Sequence, residues 1–271
     1  MHETKNLILE KAMRVGYGAR GFVYLVIGGL AIFTAFNGGE AEGSTGALNY
    51  LVRQPFGSVL VGAVALGLFS YALWRFIDAA LDLEDEGDDA NGLGNRFGQF
   101  LSGATHAFLG VTALTIMIKG AQSESDSASN WSAAIMSAPF GRWLVASAGA
   151  VTIGVAVYLF FKAWRASYRA QIRCAPTTRR LAPLIRFGLA AHGVVLLIIG
   201  GMIAYAGWTT DPQHAIGLGE ALKIVETRPF GRTLLGITGA GMACFSIYCF
   251  VQAGYRIAPN ITHGDIPTLD S

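Results

Sequence analysis

The chain has 271 residues, of which 52% are hydrophobic and 14% charged, and its mean hydropathy is +0.45. Soluble domains carry about 25% charged residues, so this composition excludes an ordinary soluble domain and is typical of a membrane protein. The net charge of +2 predicts no nucleic-acid partner, and the three cysteines, Cys174, Cys244 and Cys249, lack the spacing of a zinc site or disulfide framework.

Six apolar runs are long enough to cross a bilayer, because a helix rises about 1.5 Å per residue and needs about 20 residues to span. An even number of spans places both termini on one side. Fourteen of the 20 Lys and Arg residues fall on that side, so the positive-inside rule predicts cytoplasmic termini. The predicted spans are Gly18–Phe36, Ser58–Ala80, Phe97–Ile118, Trp143–Phe161, Phe187–Trp208 and Thr233–Ala253.

The spans form three copies of one two-helix unit. Before the second span of each copy stands the same phrase: Pro55, Phe56, Gly57; Pro139, Phe140, Gly141; Pro229, Phe230, Gly231. Four residues in and just before the first span recur 82 and 172 positions later: Arg14, Gly16, Gly21, Gly28; Arg96, Gly98, Gly103, Gly110; Arg186, Gly188, Gly193, Gly200. We predict one all-α membrane domain over 1–271, with tandem repeats 14–82, 96–166 and 186–256. Repeats with two spans each share one orientation, which predicts pseudo-threefold symmetry about the membrane normal.

A short amphipathic segment precedes each Pro-Phe-Gly: Ala47–Arg53, Trp131–Ser137 and Leu218–Glu226. We expect these segments to be short helices at the membrane surface. The proline should end each one and then occupy the first turn of the next span. Two linkers, Leu81–Asn95 and Ala166–Pro183, join the repeats, and neither is long enough for a further domain.

The stretch from Arg14 to Tyr24, followed by Gly28, by Pro-Phe-Gly and by Tyr71–Arg75, closely resembles a bacterial membrane family catalogued as domain of unknown function 1206. The resemblance extends to about Arg256 and is weakest in the second repeat. It implies six spans in three repeats, in a bacterial inner membrane, and it implies no activity.

Polar residues recur at matched positions in the spans. Arg20, Ser102 and His192 each lie six residues past the repeated arginine, and ionisable groups at that depth face the protein interior more often than lipid. Asp78, Lys162 and Gln252 each follow the Pro-Phe-Gly glycine by 21 residues. One interpretation is a polar ring around the repeat axis, in which Arg20 pairs with Asp78. The alternative is interface anchoring of each side chain separately.

Three further patterns have structural explanations. The histidine pair His106 and His192 raises the possibility of a haem, but the two lie at different depths, so hydrogen bonds between helices are the favoured interpretation and we predict no cofactor. The glycine pairs seven residues apart predict close helix contacts: Gly21, Gly28; Gly103, Gly110; Gly193, Gly200. The matched aromatics Trp74, Tyr158 and Tyr248 predict anchors at the membrane interface.

No hydrolase, kinase or metal motif is present, so we predict neither a catalytic nor a metal site. Two functions stay open. The first is a small-solute or ion pathway along the repeat axis, narrowed by the polar ring. The second is a structural or accessory protein that binds membrane lipids, another membrane protein or further copies of itself.

Overall fold

The computed structural model describes residues 2–121 and 125–257, and the side chains of residues 7–121 and 128–257. Within these ranges the chain is helical, without a β-strand. The helices are α1 (His2–Asn37), α2 (Ser44–Val52), α3 (Gly57–Leu81), α4 (Ala90–Lys119), α5 (Ser125–Met136), α6 (Gly141–Arg165), α7 (Pro176–Thr209), α8 (Leu218–Glu226) and α9 (Gly231–Tyr255). Two 3-10 helices, Ser167–Gln171 and Pro212–His214, flank α7.

Six of these helices, α1, α3, α4, α6, α7 and α9, are long and apolar enough to cross a membrane, which confirms the six predicted spans. We call the side where α1 begins and α9 ends the terminal face, and the side of α2, α5 and α8 the opposite face. Both predicted linkers are shorter in the structure, because α4 and α7 begin before the predicted linker ends at Asn95 and Pro183. Asp89 caps α4 by accepting from the Gly92 N–H at 2.8 Å, and Pro176 begins α7, which continues through Pro183.

The segments before Pro-Phe-Gly are helices, as predicted, but two of them are buried rather than spread on a surface. Leu48 of α2 and Leu222 of α8 have no exposed surface and belong to the main hydrophobic core. The two short helices also contact each other. They therefore close the bundle at the opposite face.

The turn at each Pro-Phe-Gly explains why that phrase recurs. Each phenylalanine has a left-handed backbone, with φ of 59°, 64° and 62° for Phe56, Phe140 and Phe230. A Cβ on the following glycine would lie within 2.3 Å of a carbonyl oxygen in the preceding short helix, so only glycine fits. The proline lies in the turn before this phenylalanine, not in the first turn of the span as predicted, because the left-handed residue separates the two.

The spans pack most extensively between repeats. The second span of each repeat lies against the first span of the next, as α3 with α4, α6 with α7, and α9 with α1. Within repeats, α1 packs on α3 and α7 on α9, but no comparable packing joins α4 to α6 over the described residues. The predicted pseudo-threefold axis stays a prediction.

The repeated arginines and the glycine pairs seven residues apart lie in these inter-repeat contacts. Each repeated arginine donates to two carbonyls in the last turn of the preceding span: Arg14 to Ala253 and Gly254, Arg96 to Ala79 and Ala80, Arg186 to Ala163 and Trp164. These carbonyls lack helical partners, so the arginines cap them. The glycines bring the backbones close at the same interfaces: a Cβ on Gly28 would lie 2.7 Å from Ala243 N, and one on Gly200 would lie 2.9 Å from Ile153 N.

An apolar core fills the half of the bundle toward the opposite face. It extends from Val23 of α1 to the buried short helices and includes Ile27, Leu68, Ile116 and Val195 from four different spans. The polar clusters around Arg20 and Glu84 lie instead in the half toward the terminal face.

Candidate functional site

Side chains from all three repeats meet around Arg20. Arg20 Nη1 donates to the Tyr71 hydroxyl at 3.0 Å, and that hydroxyl lies 3.3 Å from Ser102 Oγ. The Arg20 guanidinium also lies over the Tyr24 ring, whose hydroxyl is 3.5 Å from His192 Nε2. These five residues are called the Arg20 site below. Two tyrosines thus connect Arg20, Ser102 and His192, which were predicted to form a ring.

Aromatic rings surround the Arg20 charge. Arg20 Cζ lies 5.7, 5.4 and 5.1 Å from the ring centroids of Tyr24, Tyr71 and Phe245. Cation–π attraction at such distances stabilises a guanidinium, more so when it is desolvated. No carboxylate oxygen of the described residues comes within 4.0 Å of Arg20. Over the described ranges, aromatic rings and hydroxyl groups rather than a carboxylate therefore surround this positive charge.

His106 takes a structural position beside this site. Its Nδ1–H donates to the Ser102 carbonyl at 2.7 Å, and its ring centroid lies 4.5 Å from that of Tyr71. His192 instead stacks on Phe245, with centroids 4.1 Å apart. The two histidines therefore have separate environments, and His106 bonds its own helix rather than a neighbouring one.

A second cluster lies closer to the terminal face and is centred on Glu84, in the linker between α3 and α4. Arg256 donates to Glu84 Oε1 from Nε at 2.9 Å and also from Nη2. Arg75 reaches the same oxygen at 3.5 Å, Asp78 Oδ2 at 2.8 Å and the Tyr17 hydroxyl at 2.6 Å. We call these five residues the Glu84 cluster. It ties the first linker to the end of α9 and closes the centre of the bundle at this face.

Glu84 is charged in this cluster. Burial disfavours its carboxylate, but the charges of Arg256 and Arg75 outweigh burial and lower the pKa of Glu84 to about 2. Only 5% of the Glu84 side chain and 2% of the Arg256 side chain are exposed. Each charge therefore depends on the other for its stability in the interior.

The second predicted set, Asp78, Lys162 and Gln252, is divided between two environments. Asp78 belongs to the Glu84 cluster. Lys162 and Gln252 meet at Tyr248 instead: Gln252 Nε2 donates to the Tyr248 hydroxyl at 2.7 Å, and Lys162 Nζ lies 5.9 Å from the centroid of that ring.

The expected pairing of Arg20 with Asp78 is wrong, because Asp78 bonds Arg75. Arg20 lies level with Tyr71, and Asp78 is seven residues, or about 10 Å, farther along α3.

The expectation of interface anchors is also wrong for Trp74 and Tyr248, which are buried, whereas the matched Tyr158 is 49% exposed.

Sequence patterns did not identify Glu84, Arg75, Tyr71 and Arg256 as members of the site. Tyr71 and Arg75 stand within the stretch that carries the family resemblance, and Arg75 Nε donates to the Tyr71 hydroxyl at 3.1 Å. This bond joins the Glu84 cluster to the Arg20 site. Glu84 is one of several acids in a polar linker, so no spacing distinguishes it.

Several buried polar atoms in these clusters have no hydrogen-bond partner among the described residues: Asp78 Oδ1, Gln99 Oε1, His192 Nδ1, Gln252 Oε1, Arg256 Nη1 and Arg20 Nε. Buried groups of this kind normally bind water or a ligand. Among the described residues there is no group of three or more His, Cys, Asp or Glu side chains placed to hold a metal ion.

The chain is similar to known sequences over nearly its whole length. The profile of the family described as Domain of Unknown Function (DUF1206) matches it three times, at residues 15–82, 97–166 and 187–256. The uncharacterized protein YxxB of Bacillus subtilis (strain 168) is 31% identical over 258 residues, which cover 94% of this chain and 93% of that protein. No solved structure matches the chain. The three profile matches coincide with the three units that pack between repeats, and the chain belongs to the DUF1206 family of multi-pass membrane proteins.

Proposed function

We propose that the protein binds a small anionic solute or ion at the Arg20 site and passes it along the centre of the bundle. The observation that carries this proposal is the charge of Arg20, which lies between spans of all three repeats and has no carboxylate oxygen within 4.0 Å among the described residues. A cation inside the membrane is costly to keep, and such residues usually mark a binding site or a transport route. An arginine without an acidic partner selects for negative charge.

The groups around Arg20 suit a polar ligand. Tyr24, Tyr71, Ser102 and His192 supply hydroxyl and imidazole groups, and Arg20 Nε and His192 Nδ1 have no partner among the described residues. A bound anion would accept hydrogen bonds from these donors and replace part of its hydration shell.

Both ends of the proposed route are closed in this conformation. The apolar core blocks the half toward the opposite face, and the Glu84 cluster closes the terminal face. Breaking the bonds of Glu84 to Arg75 and Arg256 would open the Arg20 site to the terminal face. Transport then requires alternation between this opening and a separation of the apolar core.

The Lys and Arg bias supports an assignment of the terminal face to the cytoplasm of a bacterial inner membrane. A reporter fused after Ser271 tests this assignment. We expect activity from a reporter that folds only in the cytoplasm. Activity from a reporter that works only outside the inner membrane would contradict it.

A second function has its own support. An accessory role, in which the chain binds lipid or another membrane protein, is favoured by the scant packing of α4 on α6 among the described residues, which leaves the facing sides of these two spans less covered than in the other repeats.

Flux through liposomes tests the proposed pathway. The full chain is reconstituted, and efflux of chloride, nitrate and inorganic phosphate is compared for the native protein, Arg20→Gln and Arg53→Gln. Arg53 is exposed at the opposite face and is the matched control. We expect Arg20→Gln to lower the flux of a conducted anion about tenfold or more, since a charge-assisted hydrogen bond contributes on the order of 1.5–3 kcal/mol. Unchanged flux in Arg20→Gln would contradict the proposal.

A further inference from the structure

The second repeat lacks the small residues that join the two spans in the other repeats. A Cβ on Gly67 of α3 would lie 2.3 Å from Ala19 Cβ of α1, and one on Gly241 of α9 would lie 2.2 Å from Ala191 Cβ of α7. At the matching positions, α4 has Leu101 and α6 has Val151. Because these side chains are larger, α4 and α6 cannot approach to the same distance.

The glycine two residues after the repeated arginine also shows that the second repeat is packed less closely. A Cβ on Gly16 would lie 2.5 Å from Tyr71 Cα, and one on Gly188 would lie 2.4 Å from Phe245 N. A Cβ on the matching Gly98 would meet nothing within 4 Å. Over the part of the chain that the structure describes, the space that another span occupies in the first and third repeats is therefore open beside α4.

Side chains at matched positions are more exposed in the second repeat than in the other two, in agreement with this opening. Val23 and Val195 are buried in the apolar core, whereas the matching Thr105 is exposed. Trp74 and Tyr248 are buried, whereas the matching Tyr158 is half exposed. The opening between α4 and α6, which we call the seam, thus extends from the level of Thr105 toward the terminal face.

The seam combines apolar walls with a positive charge. Val151, Val155, Tyr158 and Lys162 are spaced four, three and four residues apart, so they share one face of α6. Lys162 Nζ lies 5.6 Å from the Tyr158 centroid, and no carboxylate oxygen of the described residues lies within 4.0 Å of it.

On the other wall, Ser102 of α4 contacts Tyr71, which accepts from Arg20. The seam therefore presents apolar surface to the lipid and leads toward two cations that have no carboxylate oxygen within 4.0 Å among the described residues.

We propose that the seam admits an anionic phospholipid from the leaflet on the terminal face. Its acyl chains lie between Leu101 and Val151, and its phosphate lies at Lys162 and reaches toward Arg20. The bilayer supplies this ligand at high concentration beside the seam, and both cations are complementary to a phosphate. The proposal rests on the proposed function, since it uses the Arg20 site and names the class of anion and its entrance.

Lipid retention tests the proposal. The full chain is reconstituted in vesicles of phosphatidylcholine and phosphatidylglycerol and extracted gently, and native mass spectrometry counts the retained lipids. We expect the native protein to retain phosphatidylglycerol in preference to phosphatidylcholine. Lys162→Gln should reduce this preference about fivefold, the effect expected for one basic residue near anionic lipid. Arg165→Gln, an exposed cation three residues away on α6, should leave it unchanged.

The double variant Leu101→Ala/Val151→Gly restores the small pair of the other repeats and should close the seam. We expect it to lose the retained lipid while keeping its thermal stability in detergent. Lys162→Arg keeps the positive charge and should therefore keep the preference for phosphatidylglycerol. This control shows that the loss in Lys162→Gln comes from the charge and not from misfolding. Equal retention of the two lipids by the native protein, or full retention by Lys162→Gln, would overturn the proposal.

Two other outcomes separate the seam from the Arg20 pathway. If the closed double variant still conducts inorganic phosphate and Arg20→Gln does not, the pathway stands and lateral entry is wrong. If the native protein has a dimer mass that the double variant loses, with no lipid retained by either, the seam is an interface between copies of this chain and the lipid proposal is wrong.

Discussion

Glu84 and Arg256 are 172 residues apart in the chain, yet Arg256 Nε donates to Glu84 Oε1 at 2.9 Å in the interior at the terminal face. The bond joins the linker after the first repeat to the residue that follows the last span. Together with the bond from Arg75, it places three charges where neither lipid nor bulk water can stabilise them. The stability of the closed terminal face therefore depends on the charge of Glu84.

Glu84→Gln tests this dependence. The substitution keeps the size of the side chain but leaves Arg256 and Arg75 without this negative charge. Since removal of one member of a buried pair is strongly destabilising, we expect a loss of about 3 kcal/mol in the free energy of unfolding and a lower thermal midpoint in detergent.

Asp88→Asn is the control for Glu84→Gln. Asp88 pairs with Arg96 at 2.8 Å, but its side chain is 92% exposed. Exposed pairs contribute about 0–1 kcal/mol, so the control should differ little from the native protein. Equal effects of the two substitutions would contradict a structural role for the Glu84 cluster.

The same carboxylate predicts a pH dependence. The pKa of Glu84 falls from 4.5 to about 2 in the folded protein, so its contribution to stability is fully present above about pH 4.5. It is lost as the pH falls from 4.5 toward 2, where the folded protein takes up the proton. Between pH 6 and pH 2, the thermal midpoint should decline less for Glu84→Gln than for the native protein. Parallel declines of the two midpoints would argue against Glu84 as the titrating group.

The adjacent glycines Gly28 and Gly29 provide a matched pair for the inter-repeat contact. A Cβ on Gly28 would lie 2.7 Å from two backbone atoms of α9, whereas one on Gly29 would meet nothing within 4 Å. We expect Gly28→Ala to destabilise the protein by about 1–3 kcal/mol through overpacking. Gly29→Ala should stabilise it by up to about 1 kcal/mol, because alanine favours the helix. A neutral Gly28→Ala would show that α1 and α9 are not in close contact.

Capping between repeats is testable at Arg96. Its side chain donates to the carbonyls of Ala79 and Ala80 at the end of α3, at 2.9 and 3.3 Å. We expect Arg96→Gln to cost about 2 kcal/mol of stability, the range for hydrogen bonds to charged groups. Arg165→Gln removes an exposed cation at the end of α6 and should have a small effect. Thermal midpoints in detergent compare the stability of the two variants. If Arg165→Gln lowered the midpoint as much as Arg96→Gln, the result would contradict capping of α3 by Arg96.

Sequence periodicity predicted the six spans, the short helices and the three repeats because each follows from local composition. The repeated Arg14 and Gly28 were recognised by spacing, but spacing alone did not show that they contact α9 of the third repeat. That contact is set by how the repeats pack, which no single repeat specifies.

The polar clusters were predicted only in part for a similar reason. Matched depth placed Arg20, Ser102 and His192 together, since depth is a property of each span. It could not show that Arg75 rather than Arg20 bonds Asp78, or that Glu84 returns from a linker into the interior. The seam was not predicted. Leu101 and Val151 stand at the matching positions of the second repeat, but only the contacts of Ala19 with Gly67 and of Ala191 with Gly241 reveal what those larger residues prevent.

The seam depends on the asymmetry of the three repeats, and distances between spin labels measure this asymmetry most directly. Labels are attached at matched positions on the two spans of each repeat: Val15 and Leu73, Phe97 and Val157, and Phe187 and Ile247. In lipid nanodiscs, double electron–electron resonance should give a longer distance for Phe97 and Val157 than for either other pair. Three equal distances would show that α4 and α6 close like the other spans and would contradict the account.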